Sequence, residues 1–351
     1  MNRIYAFIAT AGWPRIIIGL FLLSLFVVAP MVNVRLDDSI NDTFVRFGMS
    51  AIMVLALVPM VQSGCGLNFG LPLGIIAGLL GATLSLEIGI KGIPGFLSAL
   101  LLAIPFALIF GWGYGKLLNK VKGDEMMIAT YVGFSSVAFM CIMWLLLPYK
   151  NPTMIWGFGG TGLRTTISLD GYWSKALDNL WRIEIPFSEA FVLKIPTGML
   201  IFVALICLLV WLFFRTKTGT AVTAAGSNPD FARASGVDVD KMRTVSVIFS
   251  TVLGAIAIIV YEQSFGFIQI YLAPLFMAFP AVAAILIGGA SVHKAGIVNV
   301  VIGTFLFQGL LTMTPSVINS MMNTDISEVI RIIVSNGMIL YALTRKMQVR
   351  S

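Results

Sequence analysis

Long apolar stretches follow one another along almost the whole chain, separated by short polar stretches. A helix needs about 20 mostly apolar residues to cross the hydrocarbon core of a bilayer. The pattern predicts an all-α integral membrane protein with about ten transmembrane helices in a single domain, residues 1–351. The predicted spans are 15–34, 44–63, 68–89, 94–115, 126–148, 194–214, 242–262, 269–289, 295–314 and 326–344.

The composition of the chain agrees with a membrane protein. Hydrophobic residues make up 58% of it and charged residues 11%, whereas soluble domains carry about 25% charged residues. A soluble domain of this length needs a charged, hydrated exterior. Because lipid is itself an apolar solvent, a membrane protein does not, and the composition excludes an ordinary soluble protein.

The net charge of +7 fits a defined orientation in the membrane. With the N-terminus in the cytoplasm and ten crossings, most of the 23 basic residues fall in cytoplasmic loops and most of the 16 acidic residues fall outside. This distribution satisfies the positive-inside rule. It predicts that both termini are cytoplasmic and that the longest loop, residues 148–193, is an outer loop.

Small residues interrupt the boundary between the second and third spans: Gly64, Gly66, Gly70, Pro72 and Gly74. Backbone breaks at membrane depth are tolerated where protein or a water-filled cavity covers them. We therefore predict broken helices over residues 64–74, beside a solute pathway. Close packing of ordinary helices explains the same glycines and remains the alternative.

The outer loop combines a flexible turn with a more patterned stretch. Residues 157–162 (GFGGTG) are typical turn material. From Gly171 to Arg182 the aromatic and aliphatic residues alternate with polar ones, which predicts a short amphipathic helix in the membrane interface. Interfacial anchoring and docking of an external partner both explain such a helix.

One polar stretch, residues 215–243 between the sixth and seventh spans, is longer than a simple turn requires. Asn228 can cap a helix and Pro229 suits its first turn. Gly236 supplies a left-handed residue after its end. The pattern predicts a helix of about two turns that displays Phe231 on the cytoplasmic side.

Residues 215–243 resemble the cytoplasmic coupling segment of bacterial ATP-binding-cassette importer permeases, and we call them the coupling segment. The resemblance is to the binding-protein-dependent family serving ribose-type sugars, nucleosides and branched-chain amino acids. Residues 279–291 (FPAVAAILIGGAS), with Gly296 and Gly303, resemble a second run of that family. The matching positions in the coupling segment are Gly219, Ala224, Gly226, Asn228, Ala232 and Gly236.

The resemblance covers about residues 44–344 and implies a multi-pass permease of the bacterial inner membrane. In such importers a second permease subunit, two ATPase subunits and an extracellular or periplasmic solute-binding protein complete the assembly. The coupling helix enters a groove of the ATPase and transmits its closure to the gate. The residues implied in coupling are Gly219, Gly226, Asn228, Pro229, Asp230, Phe231, Ala232, Arg233 and Gly236.

The chain lacks an ATP site of its own. Gly111 to Lys116 (GWGYGK) has glycines and a lysine, but the spacing of a phosphate-binding loop is absent. The resemblance therefore places ATP and Mg in the partner ATPase, with no cofactor bound by this chain. A single histidine, His293, and no carboxylate cluster beside it argue against a catalytic metal. We predict a transporter subunit with no catalytic residues.

The stretch from Lys120 to Tyr131 resembles the simple-sugar and nucleoside branch, with Glu125 and Thr130 at the matching places. Few charges fall within the spans, and those near outer ends, Arg46, Glu87, Glu262 and Arg331, are predicted to face outside water. Candidates for the solute pathway are Asn68, Phe69, Gln263, Phe267, Phe276, Phe279 and Gln308. Packing or lipid contact explains the phenylalanines equally. The alternative function is an ion-coupled secondary transporter, which requires ionisable residues at the membrane midplane.

Overall fold

The computed structural model describes residues 13–157, 162–188, 191–271, 273–322 and 326–347. Helices dominate these residues. They are α1 (Trp13–Val28), α2 (Leu36–Leu55), α3 (Leu57–Gln62), α4 (Pro72–Ile88), α5 (Gly92–Lys120), α6 (Glu125–Leu146), α7 (Thr197–Arg215), α8 (Lys217–Ser227), α9 (Pro229–Ala234), α10 (Val239–Phe265), α11 (Ala273–Phe276), α12 (Ala278–Ile287), α13 (Ile297–Met322) and α14 (Ser327–Met347).

Each of the ten predicted spans overlaps a helix, but the described residues contain seven helical segments long and apolar enough to cross a membrane. Two shorter apolar helical segments, Pro72–Ile88 and Ala273–Ile287, accompany them. Ten crossings therefore stay a prediction. Residues 1–12 and 348–351, at the two ends of the chain, lie outside the described residues. The cytoplasmic orientation of both termini therefore stays a prediction.

The predicted interruption between the second and third spans is confirmed. Helix α3 ends at Gln62, α4 begins at Pro72, and the backbone between them is not helical. Gly64 and Gly66 take φ values of 77° and 78°, which favour glycine because other residues are strained there. The third span consequently starts four residues later than the predicted boundary at residue 68.

Helix α4 lies at the centre of the helical core, between α5 and α10. A Cβ atom on Gly81 would lie 2.5 Å from the backbone nitrogen of Ala103 in α5. One on Gly74 would lie 2.6 Å from the carbonyl oxygen of Thr251 in α10. Small residues thus let three backbones approach closely, as they do where membrane helices pack. These close approaches fix the position of α10. Its start follows the coupling segment, and its end precedes strand β4.

The prediction of an interfacial helix at 171–182 is wrong, because these residues form successive turns that pack inward. The Trp173 side chain is 1% exposed and meets Phe96 of α5 edge to face, with ring centroids 6.3 Å apart. The backbone amide of Lys175 donates to the carbonyl of Gln263, 2.6 Å away, and this bond replaces a helical one. Packing against α10 therefore outweighs the amphipathic pattern.

Four short strands lie in the same outer region and form two antiparallel pairs. Strand β1 (Thr166–Ser168) pairs with β4 (Phe267–Gln269), which follows α10 directly. Strand β2 (Ile183–Ser188) pairs with β3 (Phe191–Ile195), which leads into α7. The fold is thus helical, with one strand pair at the end of α10 and a second that contacts α2 through the hydrogen bond from Asn41 to Val192.

Candidate functional site

The coupling segment contains two helices, α8 and α9, where the sequence predicted one. The Thr216 side chain caps α8 by accepting a hydrogen bond from the backbone amide of Gly219, 3.1 Å away. Asn228 caps α9 as predicted, since its Oδ1 accepts from the backbone amide of Phe231 at 3.0 Å. The Thr216 cap is the signal that could have revealed α8.

Helix α9 presents one large apolar side chain outward. Phe231 is 67% exposed, whereas its neighbour Ala232 is 1% exposed and packs with Ala225 and Val239. Arg233 forms an exposed ion pair with Asp230 at 3.0 Å. Gly236 follows with φ of 82°, as the sequence predicted for the residue after the helix. An exposed phenylalanine on a capped, rigid helix is a feature suited to insertion into a partner's groove.

The coupling segment contacts the broken element between α3 and α4 backbone to backbone. A Cβ atom on Gly226 would lie 2.1 Å from the carbonyl oxygen of Gln62 and 2.7 Å from the amide nitrogen of Gly64. No residue other than glycine fits at 226 without displacing one of the two backbones. Gln62 also donates from Nε2 to the carbonyl of Ala295, in the loop between α12 and α13. A displacement of α8 therefore acts directly on the turn at residues 63–71.

Asn68 lies within that turn but does not line a pathway. Its side chain is 1% exposed. Its Nδ2 donates to the Ser250 hydroxyl at 2.8 Å, and its Oδ1 accepts from the Tyr114 hydroxyl at 3.1 Å. The prediction for Asn68 is wrong because these two partners, on α10 and α5, satisfy it inside the core. The two hydrogen bonds of Asn68 fix the turn against both helices.

The next residue, Phe69, links the turn to a cavity. Its ring lies 5.6 Å from that of Phe279 on α12, centroid to centroid. Phe69 itself does not line the cavity, but Phe279 does. The turn at residues 63–71 thus connects the Gly226–Gly64 contact at one end to the Phe69–Phe279 contact at the other. A connection of this kind can carry a displacement between two sites when its elements have two arrangements.

The cavity has a volume of about 920 Å³. Of the residues predicted for the pathway, Phe276, Phe279 and Gln308 line this cavity, and their role in a pathway stays a prediction. Gln308 donates from Nε2 to the Ser50 hydroxyl at 2.8 Å. The remaining lining residues include Arg46, Met49, Met53, Tyr261, Gln269, Met277, Phe307, Leu311, Glu328, Arg331, Ser335 and Asn336.

Two further residues predicted for the pathway, Gln263 and Phe267, do not line this cavity. Gln263 is fully buried and binds the outer loop, because its Oε1 accepts from the Leu177 amide at 3.0 Å and its Nε2 donates to Asp178 at 3.2 Å. Phe267 is 40% exposed but is not among the cavity-lining residues. Long-range hydrogen bonds from the outer loop decide the place of Gln263, and no local pattern announces them.

The charged residues near the outer ends differ in their surroundings. Arg46 and Arg331 line the cavity. Glu87 accepts hydrogen bonds from the backbone amides of Lys150 and Asn151, at 3.0 and 3.1 Å. The prediction that Glu262 faces water is wrong, because its side chain is 1% exposed.

Glu125, which carried the resemblance to the sugar and nucleoside branch, forms an ion pair with Arg243. The two side chains are only 15% and 11% exposed, and they join the start of α6 to the start of α10. Thr130 bonds to the carbonyl of Met126, in its own helix, at 2.9 Å. The Glu125–Arg243 pair therefore joins two helices at the end of the molecule that carries the coupling segment, whereas Thr130 does not.

A family profile described as branched-chain amino acid transport system / permease component matches residues 39–343. The autoinducer 2 import system permease protein LsrC of Photorhabdus laumondii subsp. laumondii is 28% identical over 267 residues, which are 75% of this chain and 73% of that protein. The protein of the same name from Shigella flexneri is 26% identical over 259 residues, 74% of this chain and 70% of that protein.

No solved structure matches the chain. The family match covers the coupling segment, the broken element between α3 and α4, and the cavity. The apolar helices and the permease relatives together make this a multi-pass protein of the bacterial inner membrane. The chain therefore belongs to the permease family of ATP-binding-cassette importers whose profile it matches from residue 39 to residue 343.

Proposed function

We propose that this chain forms the translocation pathway of an importer for a simple sugar or nucleoside, driven by a separate ATPase. The observation that carries the proposal is the pair formed by an exposed Phe231 on a capped helix and a glycine-to-glycine contact behind it. The exposed phenylalanine is suited to insertion into a protein groove. The glycine contact joins the coupling segment to the turn that leads toward the cavity. The names of the relatives, import system permease proteins, support the direction of transport.

The partners follow from the proposed mechanism. ATP and Mg belong to the ATPase subunits, which receive α9 and close when ATP binds. A second permease subunit, identical or related, completes the pathway, and an external binding protein delivers the solute. The pathway alternates between two states, biased by the contacts that each partner makes in each state.

The lining of the cavity supports the class of solute. Hydroxyl and amide groups from Ser50, Gln269 and Gln308 can bond to solute hydroxyls, and Phe276 and Phe279 offer faces for a ring. Binding sites for small molecules combine a largely apolar wall with a few placed polar groups in this way. A simple sugar or a nucleoside presents both kinds of surface.

The alternative, an ion-coupled secondary transporter, has one observation in its favour. Glu262 is a buried carboxyl group, and buried ionisable groups in membrane helices often serve ion movement. Glu262 is not among the cavity-lining residues, however. An ion bound there would be separated from the solute.

The test measures solute uptake by proteoliposomes that contain this permease, its ATPase and its binding protein, with labelled ribose and labelled adenosine as solutes. We expect uptake that requires internal ATP and continues when a protonophore collapses the proton gradient. Uptake without ATP that the protonophore abolishes would contradict the proposal and favour the secondary transporter. Uptake of neither solute would contradict the proposed solute class.

A further inference from the structure

The hairpin formed by β2 and β3, which we call the outer hairpin, has an apolar face. Side chains alternate between the two faces of a strand, and residues opposite each other in a pair share a face. Ile183 pairs with Ile195 and Ile185 with Leu193, so these four aliphatic side chains lie on one face. Ile183 is 49% exposed and Ile185 is 37% exposed. The apolar face is therefore open along β2.

The exposed apolar surface of the outer hairpin extends to the residues just before β2. Trp181 is 71% exposed, and its φ of 51° is a left-handed conformation that is unfavourable for a large side chain. A hairpin of two strands is at best marginally stable in water unless its apolar face packs against something. The open face points to a contact outside the chain, and the strained backbone of Trp181 agrees with one.

The depth of the outer hairpin in the membrane follows from its contact with α2. The Asn41 side chain accepts from the Lys194 amide at 2.7 Å and donates to the Val192 carbonyl at 3.2 Å. Asn41 precedes Gln62 by twenty-one residues within one helical segment, or about 31 Å along the axis. The hydrocarbon core of a bilayer is about 30 Å thick. Because Gln62 contacts the coupling segment, which is predicted to be cytoplasmic, β3 lies at the outer boundary of the core.

The outer hairpin also continues directly into a helix that faces lipid. Strand β3 ends at Ile195, and α7 begins at Thr197. Helix α7 is long and apolar enough to cross the membrane, and most of it is not buried in the protein. Its exposed residues include Ile201, Leu205, Leu208 and Leu212. Their spacing places them on one side of the helix, so the hairpin is attached where a lipid-facing surface reaches the outer side of the membrane.

The charged face of the outer hairpin is electrically balanced. Glu184 lies opposite Lys194 in the ladder and 3.9 Å from Arg182. Residues 181–195 contain two basic and two acidic residues, so their net charge is zero. Charged protein partners meet a patch of the opposite sign, whereas zwitterionic lipid headgroups present both signs. The balance therefore favours lipid over a charged docking partner.

We propose that the outer hairpin is an interfacial anchor, whose apolar face and Trp181 lie among the headgroups and upper acyl chains of the outer leaflet. Its charged face is turned to water. Tryptophan suits this level because its ring is apolar and its N–H group can bond to headgroups or water. The interfacial contact predicted for residues 171–182 is made instead by the hairpin that follows them. The anchor holds the outer end of α7, whose other end leads into the coupling segment.

Spin labels on the full chain in nanodiscs of palmitoyl-oleoyl phosphatidylcholine test the anchor without any partner. The native cysteines are replaced first, and Ile183→Cys, Ile185→Cys or Glu184→Cys then carries the label. The measurement is the ratio of collisions with oxygen, which concentrates in lipid, to collisions with a nickel chelate that stays in water. Leu205→Cys, on the exposed side of α7, is the lipid reference, and Thr165→Cys, in the outer loop, is the water reference.

We expect the ratio at residues 183 and 185 to be severalfold higher than at residue 184 and close to the lipid reference. The ratio at residue 184 should match the water reference. Ratios like that of water at all three positions overturn the anchor. Loss of collisions with both reagents at 183 and 185 indicates cover by protein and overturns it in favour of a second copy of the chain. Labels that lose contact with water only when the external binding protein is added overturn it in favour of docking.

Tryptophan fluorescence gives a second measurement that leaves β2 and β3 unchanged. The emission that is lost in Trp181→Phe should be quenched more by phosphatidylcholine brominated near the top of its acyl chains than near their ends. Trp173→Phe is the matched control, because that ring is 1% exposed inside the protein, and the emission lost there should not be quenched. Emission from Trp181 that neither lipid quenches overturns the anchor.

Discussion

Gly226 of the coupling segment and Gly64 of the turn after α3 lie against each other with no side chain between them. A Cβ atom on Gly64 would lie 3.1 Å from the Cα of Gly226, and one on Gly226 would lie 2.7 Å from the amide nitrogen of Gly64. Two backbones in direct contact transmit a displacement with little loss, because no flexible side chain absorbs it. This contact is the physical basis of the proposed coupling.

The close contact predicts that a single methyl group added at residue 226 disturbs the packing of the two backbones. Gly226→Ala should reduce solute-stimulated ATPase activity and lower stability by about 1–3 kcal/mol, the usual effect of overpacking. Thermal unfolding and ATPase assays on the reconstituted importer measure both. Gly113→Ala is the matched control, since nothing lies within 4 Å of a Cβ there, and we expect it to stabilise α5 slightly. Equal behaviour of the two variants would contradict the importance of the contact.

The cap of α9 yields a second prediction. Asn228→Ala removes the acceptor for the Phe231 amide and should destabilise the helix by about 1 kcal/mol. Asn228→Asp keeps an acceptor at that place and should retain most of the activity. The readout is solute-stimulated ATPase activity, with membrane insertion checked by yield after purification. Equal solute-stimulated ATPase activity of the Asn228→Ala and Asn228→Asp proteins would contradict a dependence of the ATPase on the capped helix.

The ion pair between Arg243 and Glu125 provides a third prediction. Its side chains are 11% and 15% exposed, so Arg243→Gln leaves a mostly buried carboxylate without its partner. Loss of one partner from a buried pair costs about 3–5 kcal/mol, and replacing both should cost less. Thermal unfolding of the two single variants and the double variant measures the coupling. Arg182→Gln, in the exposed pair with Glu184, should have almost no effect.

A double variant as unstable as the sum of its single variants would contradict that account of Arg243 and Glu125. It would mean that the two side chains act independently. The position of α10 relative to α6 would then depend on the apolar contacts of the core alone.

The orientation in the membrane is a fourth prediction. A cysteine replacing Ser227 should react with an impermeant maleimide only from the cytoplasmic side, and one replacing Thr165 only from outside. Both wild-type residues are exposed, so neither label requires unfolding. The native Cys65, Cys141 and Cys207 are replaced first to remove background. Labelling from the opposite sides would overturn the predicted topology and the position of the coupling segment.

Features encoded by neighbouring residues could be predicted from the sequence. The Asn228 cap, the left-handed Gly236 and the break at Gly64 each depend on a few adjacent positions. The places of Asn68, Gln263 and Glu262 depend on residues far along the chain, since Ser250 is 182 residues from Asn68 and Leu177 is 86 from Gln263. A polar side chain looks the same in a sequence whether it lines a cavity or bonds inside a core.

Helix α8 could not be predicted from the sequence for a different reason. Its residues are small and polar, with Gly219 and Gly226 among them, and such a composition has weak helix propensity. Packing of its buried Val222 and Ala225 against neighbouring elements stabilises it. Tertiary contacts therefore decide this helix, and the sequence indicates only the cap at Thr216.

Docking of Phe231 into the ATPase is the central claim, and affinity purification of the ATPase with Phe231→Asp tests it most directly. The account predicts loss of ATPase capture and of solute-stimulated hydrolysis, with normal insertion. Phe231→Tyr should retain both ATPase capture and stimulated hydrolysis. Thr220→Asp, which adds the same charge on the neighbouring helix α8, should also retain both. Full capture and full stimulated hydrolysis by the Phe231→Asp protein would contradict the account.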